Sequence, residues 1–325
     1  MSPGLQSAWG WSKRVFPWLL AALVLVLVAR QARTVNWPEV WLAVQAIPLG
    51  QLALAAFLAA FSYTLYASFD LIGRHLTRSR LSVGRSLGTA AISYAFNLNF
   101  GSLVGGLALR LRLYTRWGLP VSSVAKIIAY SMVTNWLGYL WVAGVVLMWA
   151  PPGLALSWAE HWASGELVLR AIGAGLLLLA VAYVALCFFS RQRQLSFRGH
   201  QFELASGPLA MLQAAMGGAS WLLIGAIVWS LFAGRIDYPD VLGALLMAAV
   251  AGVLTHVPAG LGVLEAVFAA SLGSLLPVAE VLAVVLVYRA TYYLLPLVFA
   301  LPAYGLSEAA ARRQSRAAPQ EEAVA

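Results

Sequence analysis

The sequence predicts an all-α polytopic membrane protein with about six full spans and two oppositely oriented re-entrant hairpins, arranged as an inverted repeat. Three observations carry that reading. Of 325 residues, 62% are hydrophobic and only 10% are charged, whereas soluble domains carry about 45–50% apolar and roughly 25% charged residues. Apolar runs of the length a bilayer requires, about 20 residues, recur along the chain. Arginines gather in some connections between those runs and are missing from others.

Several function classes are disfavoured at once. A net charge of +9 does not indicate a nucleic-acid partner, because the arginines lie between apolar segments and not on one basic face. The positive-inside bias of membrane proteins accounts for them. The single cysteine, Cys187, sits in an apolar run, so neither a disulfide framework nor a thiolate metal site is available. His75, His161, His200 and His256 lie far apart and lack metal-ligand spacing. No HExxH, P-loop, GxSxG or CxxC motif occurs. No catalytic residue, cofactor or metal is therefore expected, and a primary pump is disfavoured.

The elements follow in order. Lys13 and Arg14 precede the apolar run Val15 to Ala29, which resembles the charged and hydrophobic regions of a signal peptide. Arg30 and Arg33 interrupt any small-residue cleavage site, so an uncleaved first span at 15–32 is expected. Further full spans are expected at 50–70, 124–149, 167–189, 209–233 and 279–304. Two more apolar stretches, 83–118 and 241–276, are broken. The first contains Asn97, Asn99, Gly101, Gly105 and Gly106; the second contains His256, Pro258, Gly260 and Gly262. Backbone groups freed by such breaks cannot face lipid, so they must lie inside protein or beside a wet cavity.

Charge decides whether the broken stretches cross. Arg74, Arg78, Arg80 and Arg85 precede the first, and Arg110, Arg112 and Arg116 follow its break. Both flanks are then cytoplasmic, which makes the stretch a hairpin entering from that side. The second is flanked by Arg235, Asp237 and Asp240 before and Glu280 after, without a basic cluster, and should enter from outside. The connection at 150–166 suits the outer face; the one at 30–49 fits poorly, holding Arg30 and Arg33 against Glu39. Both termini come out cytoplasmic: a short segment at 1–14 and a basic, disordered tail at 306–325. A shift of about 155–158 residues lays one half of the membrane domain (15–149) on the other (167–304), with the breaks at matching places, the pattern of inverted-repeat transporters. Should both breaks cross fully, the alternative is eight spans and a parallel repeat.

Ionisable groups within membrane segments are costly and usually face a bundle interior or a wet cavity. Glu265 follows the second break and could be a charged site or half of a structural ion pair. Arg289 lies mid-span, too deep to snorkel comfortably; it could grip a phosphate bidentately or pair with Glu265. Tyr288 and Tyr292 flank it. Arg110, at a place related to Glu265 by the repeat, is either a cavity cation or an ordinary anchor. His256 could bind a headgroup or satisfy backbone carbonyls. Asn97, Asn99 and Asn135 could line a polar path or repair broken backbone.

These residues resemble the membrane domain of the lysylphosphatidylglycerol synthase/flippase family, including its stand-alone bacterial inner-membrane members. The resemblance rests on Asn97-Leu98-Asn99-Phe100-Gly101 with Gly105-Gly106, on Pro258-Ala259-Gly260-Leu261-Gly262-Val263-Leu264-Glu265, and on Tyr288-Arg289-Ala290-Thr291-Tyr292-Tyr293-Leu294-Leu295-Pro296. It covers roughly 15–305. In full-length members a soluble aminoacyl-transferase domain follows, whereas here a short Arg- and Ala-rich tail does, so lipid aminoacylation is not implied. The resemblance implies a lipid translocase of the bacterial inner (cytoplasmic) membrane, handling an anionic phospholipid or an isoprenoid-linked lipid. Arg289 and Arg110 would hold phosphate and Glu265 would balance them. The alternative is a non-catalytic scaffold for a lipid- or glycan-modifying enzyme, which would then be a partner.

Overall fold

The computed structural model describes residues 36–150, 165–191, 194–197, 200–255 and 257–321. The expected first span at 15–32 and His256 lie outside them. Among the described residues the chain is built almost wholly of helices: α1 (Trp37–Gln45), α2 (Leu49–Leu76), α3 (Val83–Phe100), a π-helical segment π1 (Ser102–Leu109), α4 (Arg110–Arg116), α5 (Val121–Trp149), α6 (Gly165–Phe189), α7 (Gly207–Leu231), α8 (Tyr238–Thr255), α9 (Val263–Leu272), α10 (Val278–Tyr288), a second π-helical segment π2 (Arg289–Leu294) and α11 (Leu295–Glu321). One feature departs from the helical expectation. Strands β1 (Gln194–Phe197) and β2 (His200–Glu203) pair antiparallel in the connection after α6, with Gln194 opposite Glu203 and Phe197 opposite His200.

Six described helices are long and apolar enough to cross a membrane: α2, α5, α6, α7, α8 and the continuous run Val278–Ser307. Five fall on expected spans, and the protein is an all-α polytopic membrane protein. The sixth, α8, lies in the stretch expected to be a hairpin. Its 18 residues would extend about 27 Å at 1.5 Å per residue, close to the hydrocarbon thickness. α3 is as long but carries Arg85, Asn97 and Asn99 and is not apolar enough.

Both broken stretches are helical hairpins as regards the path of the chain. α3 begins at Ser82, whose hydroxyl accepts the Arg85 N–H at 3.4 Å, the usual N-cap arrangement. It ends at Gly101, which adopts φ +89°, a conformation glycine takes without penalty. The chain then returns along α3. Gly105 is the contact: a Cβ there would lie 1.9 Å from the Asn97 amide nitrogen. The second hairpin turns at 257–262, where Ala259, Gly260 and Gly262 have φ of +56°, +56° and +77°, and α9 packs back on α8. Val83 and Tyr238, and likewise Phe100 and Thr255, are 155 residues apart.

The helices divide into two compact units, residues 1–62 with 132–288 and residues 63–131 with 289–325. Neither coincides with one sequence half. In the first unit α1 lies on α10, with Val40 buried against Leu282 and Ala283. Glycine lets backbones touch there: a Cβ on Gly138 of α5 would sit 2.1 Å from the Gly217 carbonyl carbon of α7, the small-residue contact membrane helices favour. α6 buries only 17% of its apolar window and exposes Leu167, Leu178, Leu179 and Phe189, as a helix facing lipid should. In the second unit Leu81, Tyr114, Leu119, Val124, Ile127 and Ile128 form a buried cluster, and Phe96 of α3 meets Tyr304 of α11 edge to face at 5.8 Å.

Candidate functional site

The second unit holds most of the buried polar chemistry. Arg110 is 2% exposed and Asp70 0%. A carboxylate and a guanidinium enclosed to that degree are costly unless paired, and here they lie 3.3 Å apart. The surroundings add hydroxyls. Tyr114 donates to Asp70 Oδ2 at 2.7 Å, and Arg110 Nη1 donates to Ser131 Oγ at 3.4 Å. The pair is not fully satisfied: Asp70 Oδ1 and Arg110 Nη2 meet as an ion pair without hydrogen-bond geometry, and Arg110 Nε is buried with no hydrogen bond. Native interiors seldom leave such groups open without a functional reason.

From Arg110 a line of aromatic rings runs through the same unit. The guanidinium lies 5.6 Å from the Tyr66 ring centre, in cation–π range. Tyr66 stacks on Tyr94 with centroids 3.6 Å apart. The Tyr94 and Tyr292 hydroxyls are 3.0 Å apart, and Tyr292 meets Tyr293 at 6.1 Å. Tyr293 in turn lies 5.3 Å from the Arg289 guanidinium, which is 7% exposed. Two buried arginines, 179 positions apart in the numbering, thus stand at the ends of one tyrosine chain.

The backbone explains how each arginine is placed. π1 ends where Arg110 begins α4, and π2 begins at Arg289. Widened turns of this kind are rare and concentrate at functional sites. They also misalign carbonyls, and side chains of the second unit collect two of those in π2. Tyr63 Oη donates to the Tyr292 carbonyl at 3.1 Å, and Asn99 Nδ2 donates to the Tyr293 carbonyl at 3.0 Å and to Ala95 at 2.8 Å. Asn99 therefore mends backbone. Asn97 differs: its Oδ1 is buried without a hydrogen bond, beside the returning arm at Gly106, where a Cβ would come within 3.1 Å of it.

The remaining expected site residues lie in the first unit. Glu265 Oε2 accepts the Gly262 N–H at 2.8 Å, so this carboxylate closes the first turn of its own helix, as in the reaching-back half of a capping box. Tyr288 is buried. The Asn135 carbonyl takes the Trp221 indole N–H at 3.1 Å. Pro258, Gly260 and Gly262 lie in the turn between α8 and α9. The sequence reading missed Asp70, which ends the apolar run taken as a span, and the tyrosines at 63, 66 and 94. The signals were present: a carboxylate in Phe69-Asp70-Leu71-Ile72, and two tyrosines three apart on one helix face.

Residues 17–300 match the family described as the lysylphosphatidylglycerol synthase TM region. The chain belongs to that family. It is 37% identical to the inner membrane protein YbhN of Escherichia coli over 306 residues, covering 94% of this chain and 95% of that one. It is 27% identical to the uncharacterized protein slr0712 of Synechocystis over 324 residues, covering 96% and 97%. Both relatives match this chain over nearly their full length, and the TM-region match takes in both hairpins and both arginines.

Proposed function

We propose that the protein is a lipid translocase of the bacterial inner membrane, moving the headgroup of an anionic phospholipid or isoprenoid-linked lipid while its acyl chains stay in the bilayer. The observation that carries this reading is the tyrosine chain joining Arg110 to Arg289. Arginine presents a rigid fork of donors suited to phosphate oxygens, and Arg110 Nε is buried with no hydrogen bond of its own. Tyrosine hydroxyls offer polar stepping points inside an otherwise apolar unit.

The mechanism follows from what each group does. Arg289 takes up the phosphate, and Tyr292 and Tyr94 offer hydroxyls to the headgroup beyond it. Arg110 is enclosed in this conformation, so a headgroup reaches it only after the helices around Asp70 shift, with the headgroup replacing the carboxylate as anion. Exchange of one anion for another keeps the buried guanidinium paired throughout. The topology proposed with this mechanism has hairpins α3–π1–α4 and α8–α9 re-entering from opposite faces, and both termini cytoplasmic. The 155-residue offset shared by the ends of α3 and α8 supports the repeat, and alternating access by rocking of repeats is the established use of such symmetry.

The test is reconstitution into liposomes carrying fluorescent-headgroup lipids, with dithionite bleaching of the outer leaflet. Translocation of an anionic lipid that rises with protein-to-lipid ratio is expected. Rates indistinguishable from empty liposomes, across several lipid mixtures and ion gradients, would contradict the proposal and leave the scaffold reading.

A further inference from the structure

A cleft of about 420 Å³ opens in the second unit where the 77–82 loop meets the 117–120 turn. We propose that it is a phosphate-binding site, separate from the tyrosine chain, which holds the phosphate of an anionic lipid headgroup at the basic surface. Arg78, Arg80 and Arg85 line it together with the hydroxyls of Thr77, Ser79 and Ser123, and no Asp or Glu does. None of the three arginines is in a salt bridge among the described residues. Positive-inside bias requires only that charge be present in a connection. It requires neither a concavity nor a fixed loop, and this cleft has both.

The loop is held from beneath. Arg74 Nε donates to the Leu81 carbonyl at 2.5 Å, the Leu81 N–H donates to Ser79 Oγ at 3.2 Å, and Arg78 is kept at φ +49°. A non-glycine residue held in that region is uncommon and is maintained only by its surroundings. The Arg85 guanidinium lies 4.5 Å from the Trp117 ring centre, a cation–π contact that limits its freedom. Leu81 and Leu119 are buried in the apolar cluster below, so the cleft stands on a packed floor. Its lipid source is argued from the margins: Val83 and Val121, at the starts of α3 and α5, are exposed and would lie along acyl chains. Three arginines around a cleft without a carboxylate suit a phosphate mono- or diester. The inference does not rest on translocation, since a protein that moves no lipid could still hold one here.

The experiment uses purified full-length protein in detergent with three probes: short-chain phosphatidic acid, short-chain phosphatidylcholine and inorganic phosphate. The protein is expected to bind the anionic lipid more tightly than the zwitterionic one. In the R78Q/R80Q/R85Q variant that affinity should fall by about tenfold or more, as for loss of several charge-assisted contacts. Inorganic phosphate binding as tightly as the lipid, with the same dependence on the arginines, would keep the site and make free phosphate its ligand. Should the triple variant not fold, each single Gln substitution should weaken binding by roughly two- to fourfold. Binding of neither anionic probe, or binding indifferent to all these substitutions, overturns the proposal.

Discussion

The two helical hairpins begin alike and use charge differently. α3 and α8 have the same length, and each ends at a glycine-bearing turn from which the chain packs back. In the first hairpin the return arm is a π-helix that delivers Arg110 into a buried cluster with Asp70, Tyr114 and Ser131. In the second the return arm is a short α-helix whose acidic residue, Glu265, bonds the N–H at its own start. One charge is tied to distant elements; the other contributes to local structure. Two hairpins with alike backbone paths thus carry charged residues whose described contacts differ, across elements in the first and to the helix start in the second.

The contrast is sharpest in what substitution should cost. Asp70→Ala strands a buried guanidinium, a change that costs about 3–5 kcal/mol in comparable pairs. It should give a large drop in thermal stability in detergent, and D70L/R110M should recover most of it. Equal stability of the single and double variants would show that the pair is not coupled. Gly105→Val forces a side chain against the Asn97 backbone and should cost about 1–3 kcal/mol as overpacking, read as a lowered unfolding midpoint. Tyr94→Phe removes the hydroxyl contact with Tyr292 and should cost about 0.5–1.5 kcal/mol. Glu265→Gln keeps an acceptor for the Gly262 N–H and should change stability by only about a few tenths of a kcal/mol. A Glu265→Gln loss rivalling that of Asp70→Ala would remove the distinction between the hairpins.

Much of the fold was legible because lipid imposes a length. Apolar runs of span size located α2, α5, α6, α7 and the Val278–Ser307 run, and the density of glycine and proline marked both breaks. What could not be read has physical causes. A π-helix differs from an α-helix by the register of its hydrogen bonds, which no residue type signals, so Arg289 was expected on an unbroken span. Asp70 ended the apolar run drawn as a span, and its charge passed for a boundary. The cluster around it joins residues from α2, α4 and α5, and sequence spacing gives no distance between such elements. Glu265 was read as a charged site or half of an ion pair, and its bond to the Gly262 N–H, three residues earlier, went unread.

The central claim is that the Arg289 end of the tyrosine chain, and not the Glu265 turn, handles the headgroup. Headgroup translocation rates in liposomes reconstituted with equal amounts of folded wild type, Arg289→Gln and Glu265→Gln test it most directly. Loss of a charge-assisted phosphate contact in the rate-limiting state should slow Arg289→Gln by about tenfold or more, while Glu265→Gln stays within about threefold of wild type. Wild-type rates for Arg289→Gln, or a larger loss in Glu265→Gln, would contradict the account.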